Sequence, residues 1–252
     1  MKDTATLARC NLFAVLGAIP KLIELDPDAA ALVAGKKIKI GFSIKNCAEA
    51  TLILRDGKAE MVKGTKGCSI KLYFASPEKF NAMIDGTGMP VPVSGFHHLG
   101  FLLKEFTKLT DILTAYLRPE PARLDDPVFF ERSTTLMLYV IGRAIVQIGN
   151  HDKVGMFSAS NITDGKIMLG IGNDLAVAIH AKGSHLMFNP EPNDKDITSQ
   201  MVFSDLQTAR DLFDGRINAI AAVGMGQVRI SGMISQVDNV NRILDRVAIY
   251  LA

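Results

Sequence analysis

The side chains best suited to chemistry in this chain are its histidines, its cysteines and its glycine-rich turns. The histidines are His97, His98, His151, His180 and His185. His180 and His185 stand five apart with no cysteine or carboxylate at a matching spacing, which argues against a metal site. His97 and His98 are adjacent, and on a strand they would face opposite ways. The cysteines are Cys10, Cys47 and Cys68, an odd number with no C-x-x-C pair. That pattern argues against a disulfide framework and fits a reducing, cytoplasmic compartment, with the thiols acting as small buried apolar groups. Gly170-x-Gly172 and Gly224-x-Gly226 lack the third glycine of a dinucleotide loop and its strand-to-helix setting. There is no P-loop, no G-x-S-x-G elbow and no H-E-x-x-H. The expectation is a protein with no catalytic residue, no metal and no cofactor, which acts by binding.

The elements that must position any binding site come in two similar series. Val15-Leu16-Gly17 matches Val140-Ile141-Gly142 at an offset of 125. Phe74 and Asp85-Gly86 match Phe203 and Asp214-Gly215 at 129, and Tyr116-Leu117 matches Tyr250-Leu251 at 134. A slowly drifting offset is what a domain-sized duplication gives when loops lengthen, and the period is far too long for a solenoid. Pro119, Pro121 and Pro127 mark the join. The expected organisation is a first unit over 1–118, a linker over 119–127 and a second unit over 128–252. Each unit opens with a helix, roughly Leu7 to Leu25 and Phe129 to Gly149.

Strands follow. Ile38, Ile40, Phe42 and Ile44 alternate, as do Leu52 and Leu54 before the tight turn Asp56-Gly57. In the second unit Ile167, Leu169 and Ile171 precede Gly172-Asn173-Asp174, and Leu175, Val177 and Ile179 resume. The stretch Ser184 to Thr198, with Pro190 and Pro192, is expected to be an exposed loop. Ser204-Asp205-Leu206-Gln207 has the form of a capping box with Ser204 as cap. In the first unit Ser76 caps and Pro77 opens the equivalent helix, which Gly86 closes as Gly215 closes the other. Phe106, Leu109, Leu113 and Tyr116 give one last helix its buried face; Val237, Val240, Leu244, Val247 and Leu251 give the other.

Bulk properties set the outer limits. Hydrophobic residues make up 48% of 252, enough for real cores. Up to Asp125 there are 17 basic and 13 acidic residues, and beyond it 11 and 13, so the halves carry +4 and −2. Neither half has the concentrated basic face of a nucleic-acid binder. Lys36, Lys37 and Lys39 are expected to be solvated strand surface. The apolar runs Leu12–Ile19 and Leu136–Ile148 are too short or interrupted, the second by Arg143 and Gln147, to span a bilayer. They are expected to be buried helices, with no transmembrane anchor.

The second unit resembles the sterol carrier protein type 2 (SCP2) domain. The residues that carry the resemblance are Met201-Val202-Phe203-Ser204-Asp205, Asp214-Gly215-Arg216-Ile217-Asn218 and Gly226-Gln227-Val228-Arg229-Ile230-Ser231-Gly232. The first unit is similar more loosely, through Asp56-Gly57, Phe74, Phe80 and Asp85-Gly86. It departs where the strand before the last helix should lie, since Pro90, Pro92, His97-His98 and Phe101 stand there. The resemblance implies an α+β fold: a mixed sheet of about five strands covered by helices, in two copies. It also implies an apolar tunnel for a hydrophobic small molecule, whether fatty acyl, sterol or isoprenoid, and it names none of these.

Candidate tunnel residues are Met201, Phe203, Leu212, Phe213, Ile220, Val223, Met225 and Met233. Ile217 to Met225 is apolar on nearly all sides, and methionine adapts to irregular ligands. The competing expectation is an accessory module with filled cores that supports a lipid- or quinone-pathway enzyme or pairs with itself as a homo-oligomer.

Overall fold

Asp3 starts the first helix by accepting the amide of Thr6 at 2.7 Å. The computed structural model describes residues 2–192 and 196–251, and of Ile220 only the backbone. The helix runs Thr4–Leu25. It tightens into a 3-10 turn at Leu16–Ala18, just before Pro20, whose missing amide and bulky ring disfavour an undisturbed α-helical turn. Its length and mean hydropathy of 1.4 would suffice to cross a membrane, and 67% of its most apolar window is buried in the protein.

Two compact units form, Met1–Leu136 and Met137–Ala252. Each holds a five-stranded sheet. The first is ordered β3-β2-β1-β4-β5, from β1 (Lys37–Ile44), β2 (Ala48–Arg55), β3 (Lys58–Lys63), β4 (Ile70–Phe74) and β5 (Val91–Ser94). The second repeats that order as β8-β7-β6-β9-β10, from β6 (Gly165–Ile171), β7 (Leu175–Lys182), β8 (His185–Asn189), β9 (Ile197–Phe203) and β10 (Val228–Gly232). In each sheet one pair is parallel, β1 with β4 and β6 with β9, and the rest are antiparallel. This is the expected α+β architecture, a mixed five-stranded sheet covered by helices, in two copies within the chain.

The alternation expected in β1 holds: Ile38, Ile40, Phe42 and Ile44 are at most 7% exposed. Their partners across β4 are Ile70, Leu72 and Phe74, which share that face. Phe80, from the Pro77–Ile84 helix, meets Phe42 and Phe74 edge-on at 6.4 and 5.0 Å. Each such ring contributes about 2 kcal/mol by burial. Asp56 and Gly57 both take positive φ, 50° and 80°, as a type I′ hairpin turn requires.

Several expectations are corrected. The Ser184–Thr198 segment is not wholly loop, because β8 lies in it and pairs with β7. Gly183 and Ser184 form its turn at φ 57° and 63°, and Leu186 is buried beneath the sheet. The first unit does have its fifth strand. β5 is an edge strand with a register shift opposite Lys71/Leu72, and an edge with a bulge tolerates Pro92. His97 and His98 are not on a strand but in the 3-10 turn Phe96–His98, with ring centroids 4.1 Å apart. The Leu206–Phe213 helix is capped by Asp205, which accepts the Thr208 amide at 2.7 Å, while Ser204 bonds the Asp205 carboxylate and the Thr208 hydroxyl. Asp205 is one residue closer to the helix and has the extended backbone a cap needs. On the last helix, Ile234–Leu251, Ile243 and Tyr250 are buried, whereas Leu244 and Leu251 are only half-buried.

The repeat extends to a buried polar cluster. Tyr250, near the end of the last helix, donates its hydroxyl to Asp152 at 2.7 Å. Asp152 caps the Lys153–Ser160 helix through Val154 and Gly155 and pairs with Arg246 at 2.9 Å. In the first unit Tyr116 donates to Asp26 at 2.6 Å, Asp26 caps the Pro27–Val33 helix through Ala29, and Arg132 stands 3.7 Å away. Burial alone would raise the Asp152 pKa, but the Arg246, Gly155 and Tyr250 hydrogen bonds outweigh it and hold the carboxyl below the usual range. A second repeated device is a glycine backed onto a strand. A Cβ on Gly95 would lie 2.0 Å from the Ser69 carbonyl oxygen, and one on Gly232 would lie 2.2 Å from that of Thr198.

Candidate functional site

The expected ligand site in the second unit gathers around β9 and β10. In their antiparallel register Val228 faces Phe203 and Ile230 faces Met201, so all four side chains project from one side of the sheet. Along that face exposure changes sharply: Phe203 is 1% exposed, Val228 3% and Met201 5%, but Ile230 is 37% exposed. The Ala219–Gly224 helix packs beside β10, and the Leu206–Phe213 and Ile234–Leu251 helices pack on β9. The first of these is held at its start by Asn218, whose side-chain oxygen accepts the Ala221 amide at 3.1 Å.

The eight candidates divide by depth. Met201 and Phe203 are buried on β9. Leu212 and Phe213 are half-buried, and the Phe213 ring meets Phe203 edge-on at 5.5 Å. Val223, Met225 and Met233 are exposed, by 41%, 65% and 44%. Ile220 lies in the Ala219–Gly224 helix, and its side chain is outside the described residues. Ile230 and Ile234, the latter 74% exposed, join the outer group and escaped sequence reasoning. The signal for Ile230 is its place directly opposite Met201, which needs the register to be known.

Behind this apolar strip sits a polar hub that spacing did not reveal. Gln236 is fully buried, and its Oε1 accepts from Ser199 Oγ at 2.6 Å and Thr198 Oγ1 at 2.9 Å. Its Nε2 donates to the Thr163 carbonyl at 2.9 Å. It therefore ties the first residues of the last helix to β9 and to the turn before β6, and sets the angle at which Met233 and Ile234 leave the sheet.

Elsewhere, two depressions of about 460 and 470 Å³ open on the first unit. Ser43 to Glu49 line one, and Asp28, Leu32, Lys108 and Ile112 are among those lining the other. Neither includes any of the eight candidates. Among the described residues no three His, Cys, Asp or Glu side chains gather to hold a metal ion. Cys47 is half-buried with its thiol against the Ala5 carbonyl at 3.5 Å, and burial pushes its pKa up, away from the reactive thiolate.

No protein-family model matches the sequence, and no curated protein does. Solved structures do match, 12 chains in number. One is the "UbiJ-SCP2 Ubiquinone synthesis protein", 12% identical, with 47% of this chain and 97% of that chain covered at a TM-score of 0.34. Another is "Sterol Carrier Protein 2 from Yarrowia Lipolytica (apo form)", 14% identical, covering 40% of this chain and 92% of that chain at 0.32.

Proposed function

We propose that the second unit binds a hydrophobic small molecule without catalysing a reaction, and that Ile230, Met233, Ile234, Val223 and Met225 form the mouth through which an acyl, sterol or isoprenoid chain reaches Met201, Phe203, Leu212 and Phe213. The observation that supports it is the apolar strip that begins in the core at Phe203 and Val228 and emerges uncovered at Ile230. Large apolar side chains left exposed at one end of a strand, as Ile230, Met233 and Ile234 are, mark surfaces that are covered in use. Shielding an alkyl chain there yields about 25 cal/mol per Å² of apolar area, so affinity needs no catalytic group. Native mass spectrometry of protein purified without detergent is expected to show a retained apolar compound. Met225→Glu combined with Met233→Glu should abolish it while leaving the melting temperature unchanged, since both side chains are exposed. A well-folded wild type that carries no such compound and binds no fluorescent fatty acid would refute the reading.

A second reading has its own observation. Val154, Met156 and Phe157 on the Lys153–Ser160 helix are 54%, 50% and 68% exposed, and Ile249 on the helix packed against it is 42% exposed. This surface lies outside the proposed mouth and suits an accessory module that docks on a protein. Phe157→Glu would break such docking and leave ligand retention intact.

A further inference from the structure

The Pro127–His151 helix is apolar through Leu136–Ile148 except where Arg143 and Gln147 interrupt it. Arg143 lies with its guanidinium 4.6 Å from the centre of the Phe188 ring on β8. Its Nε is buried with no hydrogen-bond partner, and no described carboxylate pairs with it. The platform is closely fitted. A Cβ on the neighbouring Gly142 would come within 2.8 Å of Phe188 and 3.1 Å of Val177, so the helix sits tightly on β7 and β8. Tyr139, one turn before Arg143, packs edge-on to the same ring at 6.0 Å and donates its hydroxyl to the Pro190 carbonyl at 3.1 Å.

A guanidinium does not shed its proton at any ordinary pH, and taking it from water without an anion is costly. Contact with an aromatic face offsets only part of that cost. Burial accordingly pushes the Arg143 pKa down, with the nearby Tyr139 as a minor opposing influence. A leucine or methionine would serve the helix better if packing were the only demand. The side chain is still partly exposed, so its fork can be reached from outside.

We propose that Arg143 is the receptor for an oxyanion, a carboxylate or phosphate, and specifically for the headgroup of the amphiphile whose chain the second unit binds. The headgroup assignment rests on the binding function proposed above; the oxyanion site does not. A planar guanidinium held over a ring presents paired N–H donors that match two oxygens of such a group. Phe188 pairs with Ile179, which pairs with Ile167, on the face that carries Leu169 and Met201. Arg143 thus stands at the β8 edge of that face, three strand spacings or about 14 Å from Met201 on β9, a span that an extended alkyl chain of about twelve carbons covers.

The test titrates the full chain with four probes, dodecanoate, dodecanol, acetate and inorganic phosphate, following the Arg143 Nε–H resonance by NMR and affinity by calorimetry. Dodecanoate should shift that resonance and bind about tenfold or more tightly than dodecanol. Arg143→Met should erase the margin, keep dodecanol binding and melt no lower than wild type, whereas a purely structural arginine would melt lower when replaced. Arg143→Lys should keep only part of the margin. Acetate or phosphate shifting the resonance in a protein that binds neither alkyl probe would support the oxyanion site, assign it to a free anion and refute the hydrophobic-ligand reading. Equal affinity for dodecanoate and dodecanol, with no shift from acetate or phosphate, would overturn the inference and leave that reading standing. Silence toward all four probes would overturn both.

Discussion

Asp152→Ala should be among the most damaging single substitutions in the second unit. The side chain is 5% exposed and accepts four hydrogen bonds: from Val154 N at 3.0 Å, Gly155 N at 2.9 Å, Arg246 at 2.9 Å and Tyr250 at 2.7 Å. Loss of the helix cap costs about 1 kcal/mol. A buried tyrosine hydroxyl left without its acceptor costs about 1–3 kcal/mol. Arg246, 16% exposed, loses the carboxylate it pairs with among the described residues; a fully buried pair broken this way costs about 3–5 kcal/mol, and partial access to water reduces that. These losses overlap, so about 4 kcal/mol in total is expected. Asp152→Asn keeps the cap oxygen and should cost about half as much. The pH dependence has a defined sign. The folded pKa lies below the unfolded value of about 3.9, so the stabilisation is complete above that pH and is lost as pH falls through the folded pKa. Urea unfolding followed by circular dichroism at about pH 7, and again below about pH 4, measures both effects. A cost under about 1 kcal/mol for Asp152→Ala, or an acid dependence in Asp152→Asn equal to wild type, would refute the reasoning.

Gly232→Ala and Gly95→Ala should each destabilise their own unit by about 2 kcal/mol or more, because both sites combine positive φ with a strand backbone about 2 Å from the new Cβ; differential scanning calorimetry resolves the loss, and an unchanged profile would contradict the close approach. Gln236→Leu should cost about 1–3 kcal/mol, chiefly by leaving the buried Ser199 hydroxyl without its acceptor and the Thr163 carbonyl without its donor, since Thr198 still has the Lys166 carbonyl; hydrogen exchange at β9 amides should quicken in step.

What the sequence made legible was local. The alternation of β1, the cap at Ser76 and the Asp-Gly turns depend on neighbours within a few residues, and each formed as expected. The tyrosines at 116 and 250 were visible as a repeat, but their purpose was not, since their partners Asp26 and Asp152 are 90 and 98 residues away. β8 was hidden because its turn is Gly183-Ser184, not a familiar Asn-Gly, and because Pro190 and Pro192 dominate the composition of the segment. Ser204 and Asp205 are both competent caps, and only backbone geometry decides between them. At the candidate site, Met201 and Phe203 could be placed on an inward face from pattern alone. The uncovered ends at Ile230 and Ile234 depend on how far β10 extends beyond its covering helices, which no periodicity encodes.

The two copies complete their aspartate–tyrosine pairs with arginines from different places. In the second copy Arg246 comes from the same helix as Tyr250, four residues earlier. In the first, Arg132 comes from the Pro127–His151 helix, beyond the proline-rich stretch, as do Ser133, whose hydroxyl donates to the Tyr116 carbonyl at 2.6 Å, and Phe129, whose ring stacks on Tyr116 at 4.6 Å. The N-terminal half therefore takes part of its own interior from chain that composition would assign to its neighbour. Scissors applied among the prolines would leave that half with an exposed tyrosine ring and an aspartate short of its cation, so dissection into halves has to follow the packing, at Leu136, and accept a helix cut in two.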